Sequence, residues 1–156
     1  MNIYESLSFP GFVLNEQIAR QVFEILPESG PLVMIMDTEG NSWPSNSDDF
    51  AKLNISESFF KRICAKIDDG AEPVVAQTDD CSVVGAQLST DRSKCGYAII
   101  VLPQYSPEST LANIDLIEML LNQLGLIAAL IEKNNLCFEV QMKHYHACAQ
   151  SEIASN

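Results

Sequence analysis

The sequence predicts an α+β domain: an antiparallel sheet of about five strands flanked by helices, with a long C-terminal helix. Three observations carry that expectation. Apolar runs of strand length alternate with segments of helical period, in the order helix, two strands, helix, three strands, helix. The last two strands are separated only by the polar turn Ser89-Thr90-Asp91-Arg92-Ser93-Lys94, so they pair antiparallel. From Ser106 to about Ala149 the helical period is never lost, and some forty residues at about 1.5 Å each make a rod of roughly 60 Å.

Each element has a local cause. Residues 1–14 form an N-terminal loop around Phe9-Pro10-Gly11. Asn15 caps a helix over residues 15–26 that places Ile18, Val22, Ile25 and Leu26 on one face. The run Leu32-Val33-Met34-Ile35-Met36 is too short for a buried helix and ends in Asp37-Thr38-Glu39-Gly40-Asn41, a strand entering a tight turn. The Asp37 carboxylate caps that turn, Gly40 supplies a positive φ, and a short return strand follows at residues 42–44 before a polar loop over 44–49. Ser56 opens a second helix with Phe59, Phe60, Ile63, Cys64 and Ile67 inward, stopped at Asp68-Asp69-Gly70. Residues 73–78, 81–88 and 95–102 make a three-stranded meander. Residues 15–131 are read as the domain, and 132–156 as a helical extension and tail.

Composition narrows the function. With 21 acidic against 9 basic side chains the formal net charge is −12, which excludes nucleic acid and anionic membrane as direct partners. The five cysteines lack paired spacing and the N-terminus shows no signal-peptide pattern, so a reducing cytoplasm is expected. The longest uncharged run of the last helix, residues 119–131, is too short to span a bilayer. Both histidines, His144 and His146, lie in the tail, which removes histidine-dependent nucleophiles and histidine-ligated haem or zinc from residues 1–143. His144 and Cys148, four apart on a helix, can share a metal, whereas His144 and His146 are about 200° apart around the axis and cannot; solvated tail residues account for all three. Carboxylate pairs at Asp48-Asp49, Asp68-Asp69 and Asp79-Asp80 sit at element ends, lack a calcium-loop spacing and read as turn chemistry. No catalytic residue, metal or cofactor is expected.

The element order, with a strand ending in Asp37-Thr38-Glu39-Gly40 and a final hairpin flowing into an outgoing helix, resembles the GAF and PAS family of sensory domains over about residues 15–135, and GAF more closely. The resemblance implies a signal-transducing module that dimerises through flanking helices and acts on a separate downstream protein. It departs from the cyclic-nucleotide and bilin subfamilies, whose signatures are missing; Cys81, for instance, is followed by Ser82 rather than histidine. The free methionine-R-sulfoxide reductases, also GAF proteins, carry a cysteine immediately before an aspartate, where this chain has Thr90 before Asp91. A cysteine-dependent reductase using Cys81 or Cys95 remains the enzymatic alternative, and Lys94 and Arg92 beside Cys95 would favour a thiolate there. A structural dimerisation adaptor without ligand is the third reading.

Two surfaces follow from this. Met34, Met36, Trp43, Phe59 and Ile63, with Cys81, are expected between sheet and second helix, where they serve either as plain core or as the lining of a pocket for a small apolar or aromatic ligand. Steps of four and three along the last helix give Ile117, Leu121, Leu124, Ala128, Ile131, Asn135 and Phe138, the expected seam of a parallel homodimer in which Asn135 fixes register. The wide apolar face before Glu132 fits packing on the sheet equally well. Gly125, costly in mid-helix, is expected where two helices approach closely.

Overall fold

The structure is a computed structural model that describes residues 14–28, 31–89, 94–103 and 106–154, apart from the side chains of Glu132, Asn135, Leu136, Phe138 and Glu139. The expected loop at Phe9-Pro10-Gly11 and the tip of the last hairpin, with Arg92, lie outside the described residues.

Helix α1 (Glu16–Ile25) starts where Asn15 accepts a hydrogen bond from the Ile18 amide, and buries Ile18, Ala19 and Val22. Ile25, expected on the same face, is instead exposed. Strand β1 (Leu32–Asp37) turns through Gly40, at φ 96°, into β2 (Ser42–Pro44). One Asp37 carboxylate oxygen accepts from the Glu39 and Asn41 amides at 2.9 and 2.8 Å, so the capping role foreseen for it is realised. Helix α2 (Ser47–Leu53) begins inside the segment expected as polar loop, residues 44–49, and runs past it. Asn46 caps it, and the partly buried Phe50 and Leu53 hold it against the core, contacts that a reading of local polarity misses. Helix α3 (Glu57–Asp68), capped by Ser56, is followed by β3 (Val74–Gln77), β4 (Cys81–Ser89) and β5 (Lys94–Pro103).

The five strands form one antiparallel sheet in the order β2-β1-β5-β4-β3. Cys81 stands opposite Pro103, which leaves a Cys81–Cys95 disulfide out of reach, and none of the five cysteines forms a disulfide. A register shift at Leu88/Ser89 then pairs Ser89 with Lys94. Gly96 explains how β5 fits against β1: its φ is 155°, and a Cβ there would come within 2.0 Å of the Met36 carbonyl oxygen.

The last helical segment is two helices, not one. Ser106 caps α4 (Pro107–Ala112), and a turn at Asn113, whose side chain donates to the Ser109 carbonyl at 2.8 Å, separates it from α5 (Ile114–Ala154). A side chain that captures a backbone carbonyl competes with the helical ladder and favours such a break.

Three layers result. On one face of the sheet α1 and α5 enclose Val33, Ile35, Val84, Leu88, Ile100, Leu121 and Leu124; on the other α3 closes over Met34, Met36, Val83, Ile99 and Val101. β1 therefore feeds both cores by alternation, as a strand covered on both sides must.

Candidate functional site

The six residues expected to line a pocket do not share one space. In β1, Met34 and Met36 point to the α3 face, and the register sets Trp43 opposite Ile35, which belongs to the α1/α5 face. Trp43 is thus separated from the other five by the sheet itself. Met34, Met36, Ile63 and Cys81 are each buried in a cluster with Phe60 and Cys64, and Phe59 packs on its edge. Met36 and Cys64 meet sulfur to sulfur at 3.9 Å. The correction has a simple cause: alternate residues of a strand face opposite ways, so a tryptophan paired to Ile35 cannot join Met34 and Met36. On its own side Trp43 forms the wall of an open groove of about 440 Å³ with Phe23, Pro44 and the charged Glu16, Arg20 and Glu24.

The thiols of the alternative reading are placed inward. Cys81 and Cys95 are 1% and 4% exposed, and the Cys81 sulfur lies 2.9 Å from the Thr78 hydroxyl. Burial, helped by the nearby Asp68 charge, pushes the Cys64 thiol up to about 11, so it stays protonated at neutral pH. Lys94 pairs with Asp68 and stacks over Tyr97 at 5.8 Å, while the Tyr97 hydroxyl donates to both Asp68 oxygens at 2.8 and 2.7 Å. The hydrogen bonds from Lys94 and Tyr97 hold the Asp68 carboxyl below its usual range. Burial and the Asp68 hydrogen bond raise the Tyr97 phenol. This trio ties the end of α3 to β5. Its charges are paired with one another at a partly exposed edge.

The dimer seam is also corrected. Ile117, Leu121, Leu124 and Ala128 are 7%, 7%, 0% and 0% exposed within a single chain, packed against β4, β5 and α1, and Ile131 packs beside them. A seam consumed by its own sheet has nothing left for a partner. The side chains of Asn135 and Phe138 lie outside the described residues. A Cβ added at Gly125 would find no atom within 4 Å, so no close approach within the chain accounts for this glycine.

What sequence reasoning missed is the opposite side of α5. Leu116, Met119, Leu126 and Leu130 are 52–61% exposed, and Leu120 and Ile127 are only partly buried. At about 100° per residue, Leu116, Met119, Leu126, Leu130, His144 and Cys148 fall within an arc of about 80° that faces away from the sheet. Among the described residues every exposed large hydrophobic except Ile25 and Val75 lies on α4 or α5. The signal was present in the width of the apolar face, which exceeds what one layer of sheet can cover. The window Ile114–Ile131, with a mean hydropathy of 1.8, is also long and apolar enough to cross a membrane by length and composition, which the shorter uncharged run had concealed. Beyond Ile131 the described side chains of α5 are exposed but for a half-buried Ala149, so more than half of the helix stands clear of the domain.

Among the described residues no group of three or more His, Cys, Asp and Glu side chains is gathered closely enough to hold a metal ion. His144 and Cys148 form a pair, with the sulfur 3.7 Å from Nε2. Compared with models of known protein families and with curated protein sequences, the chain matches none.

Proposed function

We propose that this chain is a non-catalytic, cytoplasmic regulatory module of the GAF-like kind, acting as a parallel homodimer held through the outward face of α5 and passing its signal to a downstream protein along that helix. The observation that carries this reading is the division of α5: Ile117, Leu121, Leu124 and Ala128 are buried in the domain, while Leu116, Met119, Leu126 and Leu130 on its outer side are each more than half exposed. An apolar stripe of that extent marks an interaction surface. An isolated helix draws little stability from propensity alone, so a rod that leaves its domain needs a partner along its length.

A second copy fits this face best. The rod is about 60 Å long and about 10 Å across, offering roughly 600 Å², close to the ~800 Å² per partner of a stable interface. Among the described elements the next longest helix is α3, with 12 residues, so α5 itself is the matching partner. At a net charge of −12 two copies repel, and they can meet only where charge is missing. Leu116, Met119, Gln123, Leu126, Leu130 and Asn134 supply an uncharged stripe. A bilayer suits the face less well, because it would surround the helix, whereas α5 keeps one side on the sheet, and anionic lipid would meet an acidic protein. Five cysteines without a disulfide fit a reducing compartment. The packed α3 layer lends no support to a core ligand, so the reading rests on the helix.

Sedimentation velocity of the parent chain and of a Leu116→Asp, Leu130→Asp double variant tests this. The parent is expected to be a dimer at micromolar concentration and the variant a folded monomer with unchanged circular dichroism. A parent that remains monomeric throughout that range would sink the reading.

A further inference from the structure

We propose that His144 and Cys148 are half of a zinc site, completed by the same pair from a second copy in the α5 dimer; this rests on the homodimer reading above. Residues four apart on a helix share a face, the spacing by which helical ligand pairs grip one metal. The pair is already set for it: Cys148 Sγ and His144 Nε2 are 3.7 Å apart. Two ligands of one tetrahedral zinc, with Zn–S near 2.3 Å and Zn–N near 2.05 Å, stand about 3.6 Å apart. Both side chains are exposed, so a metal can reach them.

One chain supplies only two ligands, and among the described residues no third gathers beside them. A structural zinc site wants four. Cys148 and His144 both lie on the arc that holds Leu116, Met119, Leu126 and Leu130, with Cys148 near its middle. When two copies pair in parallel along that arc, each residue meets its own symmetry mate, so two sulfurs and two imidazoles converge on the dyad. An antiparallel pair would hold the two half-sites far apart, so the metal also selects the parallel arrangement. Binding displaces the Cys148 thiol proton to solvent and leaves a thiolate ligand, with neutral His144 donating through Nε2. His146, on the other side of the helix, takes no part. Because the metal holds only the dimer, its binding makes association dependent on zinc.

The experiment is titration of the metal-free full chain with Zn²⁺, followed by native mass spectrometry, with Co²⁺ as a spectroscopic probe. Expected are one Zn²⁺ per two chains, a tighter dimer in its presence, and a thiolate-to-cobalt charge-transfer band that disappears in Cys148→Ser and weakens strongly in His144→Ala. Cys137→Ser, altering the other exposed cysteine of α5, should leave all three unchanged. A dimer that takes up no zinc, or one whose zinc uptake is indifferent to Cys148→Ser, overturns the site and leaves the dimer standing. A chain that stays monomeric with and without zinc overturns both.

Discussion

Asp68 shows how a residue that looks like turn chemistry in the sequence becomes a tie between elements. Its carboxylate accepts from Lys94 and, through both oxygens, from the Tyr97 hydroxyl, joining α3 to a strand 26 residues later in the chain. Those hydrogen bonds lower its folded pKa, so the stabilisation is complete above the ordinary carboxylate range of about 3.9 and is lost as pH falls through the lower folded value. Asp68→Asn should therefore lower the melting temperature near neutral pH, with the gap to the parent closing as the solution is acidified; a gap that is constant with pH would assign the effect to packing. The sequence showed an acidic pair at a helix end, but the partners are brought in by sheet register, which local patterns do not encode.

At the scale of elements, the two faces of α5 differ in kind, and substitution separates them. Leu124 is fully buried, so Leu124→Ala is expected to cost about 2–5 kcal/mol of folding stability. Leu126, 60% exposed, should be nearly neutral for folding when replaced by alanine, its effect appearing in association instead, as urea melts at two protein concentrations would reveal. A Cβ at Gly125 would meet open space, and the residue lies about 140° around the axis from the middle of the outer arc. Gly125→Ala should accordingly stabilise the chain by about 1 kcal/mol through helix propensity. Destabilisation of the dimer by this change would point instead to helices crossing at the glycine. The helices over residues 16–25 and 57–68 and all five strands were legible because caps and periodicity agreed; α2 was not, because Phe50 and Leu53 acquire their apolar partners only from distant segments.

For the molecule as a whole, acidity opposes self-association while the bare stripe of α5 favours it. Two bodies of charge −12 repel through solvent, and salt screens that repulsion without weakening apolar contact. Dimerisation is thus expected to strengthen as ionic strength rises from 50 mM to 500 mM NaCl; weakening over this range would indicate an interface held by ion pairs instead. The amino-acid sequence by itself determined the fold class, most element positions, the Asp37 turn and the long helical segment at the C-terminus, because each follows from interactions between residues near one another in the chain. Tertiary structure alone decided that Trp43 and Met34 face opposite cores, that Cys81 and Cys95 are shut away, and that α5 spends Ile117, Leu121, Leu124 and Ala128 on its own sheet. Periodicity marks every apolar face of a helix alike. Which face is covered depends on the element packed against it, and that is settled only when distant parts of the chain meet.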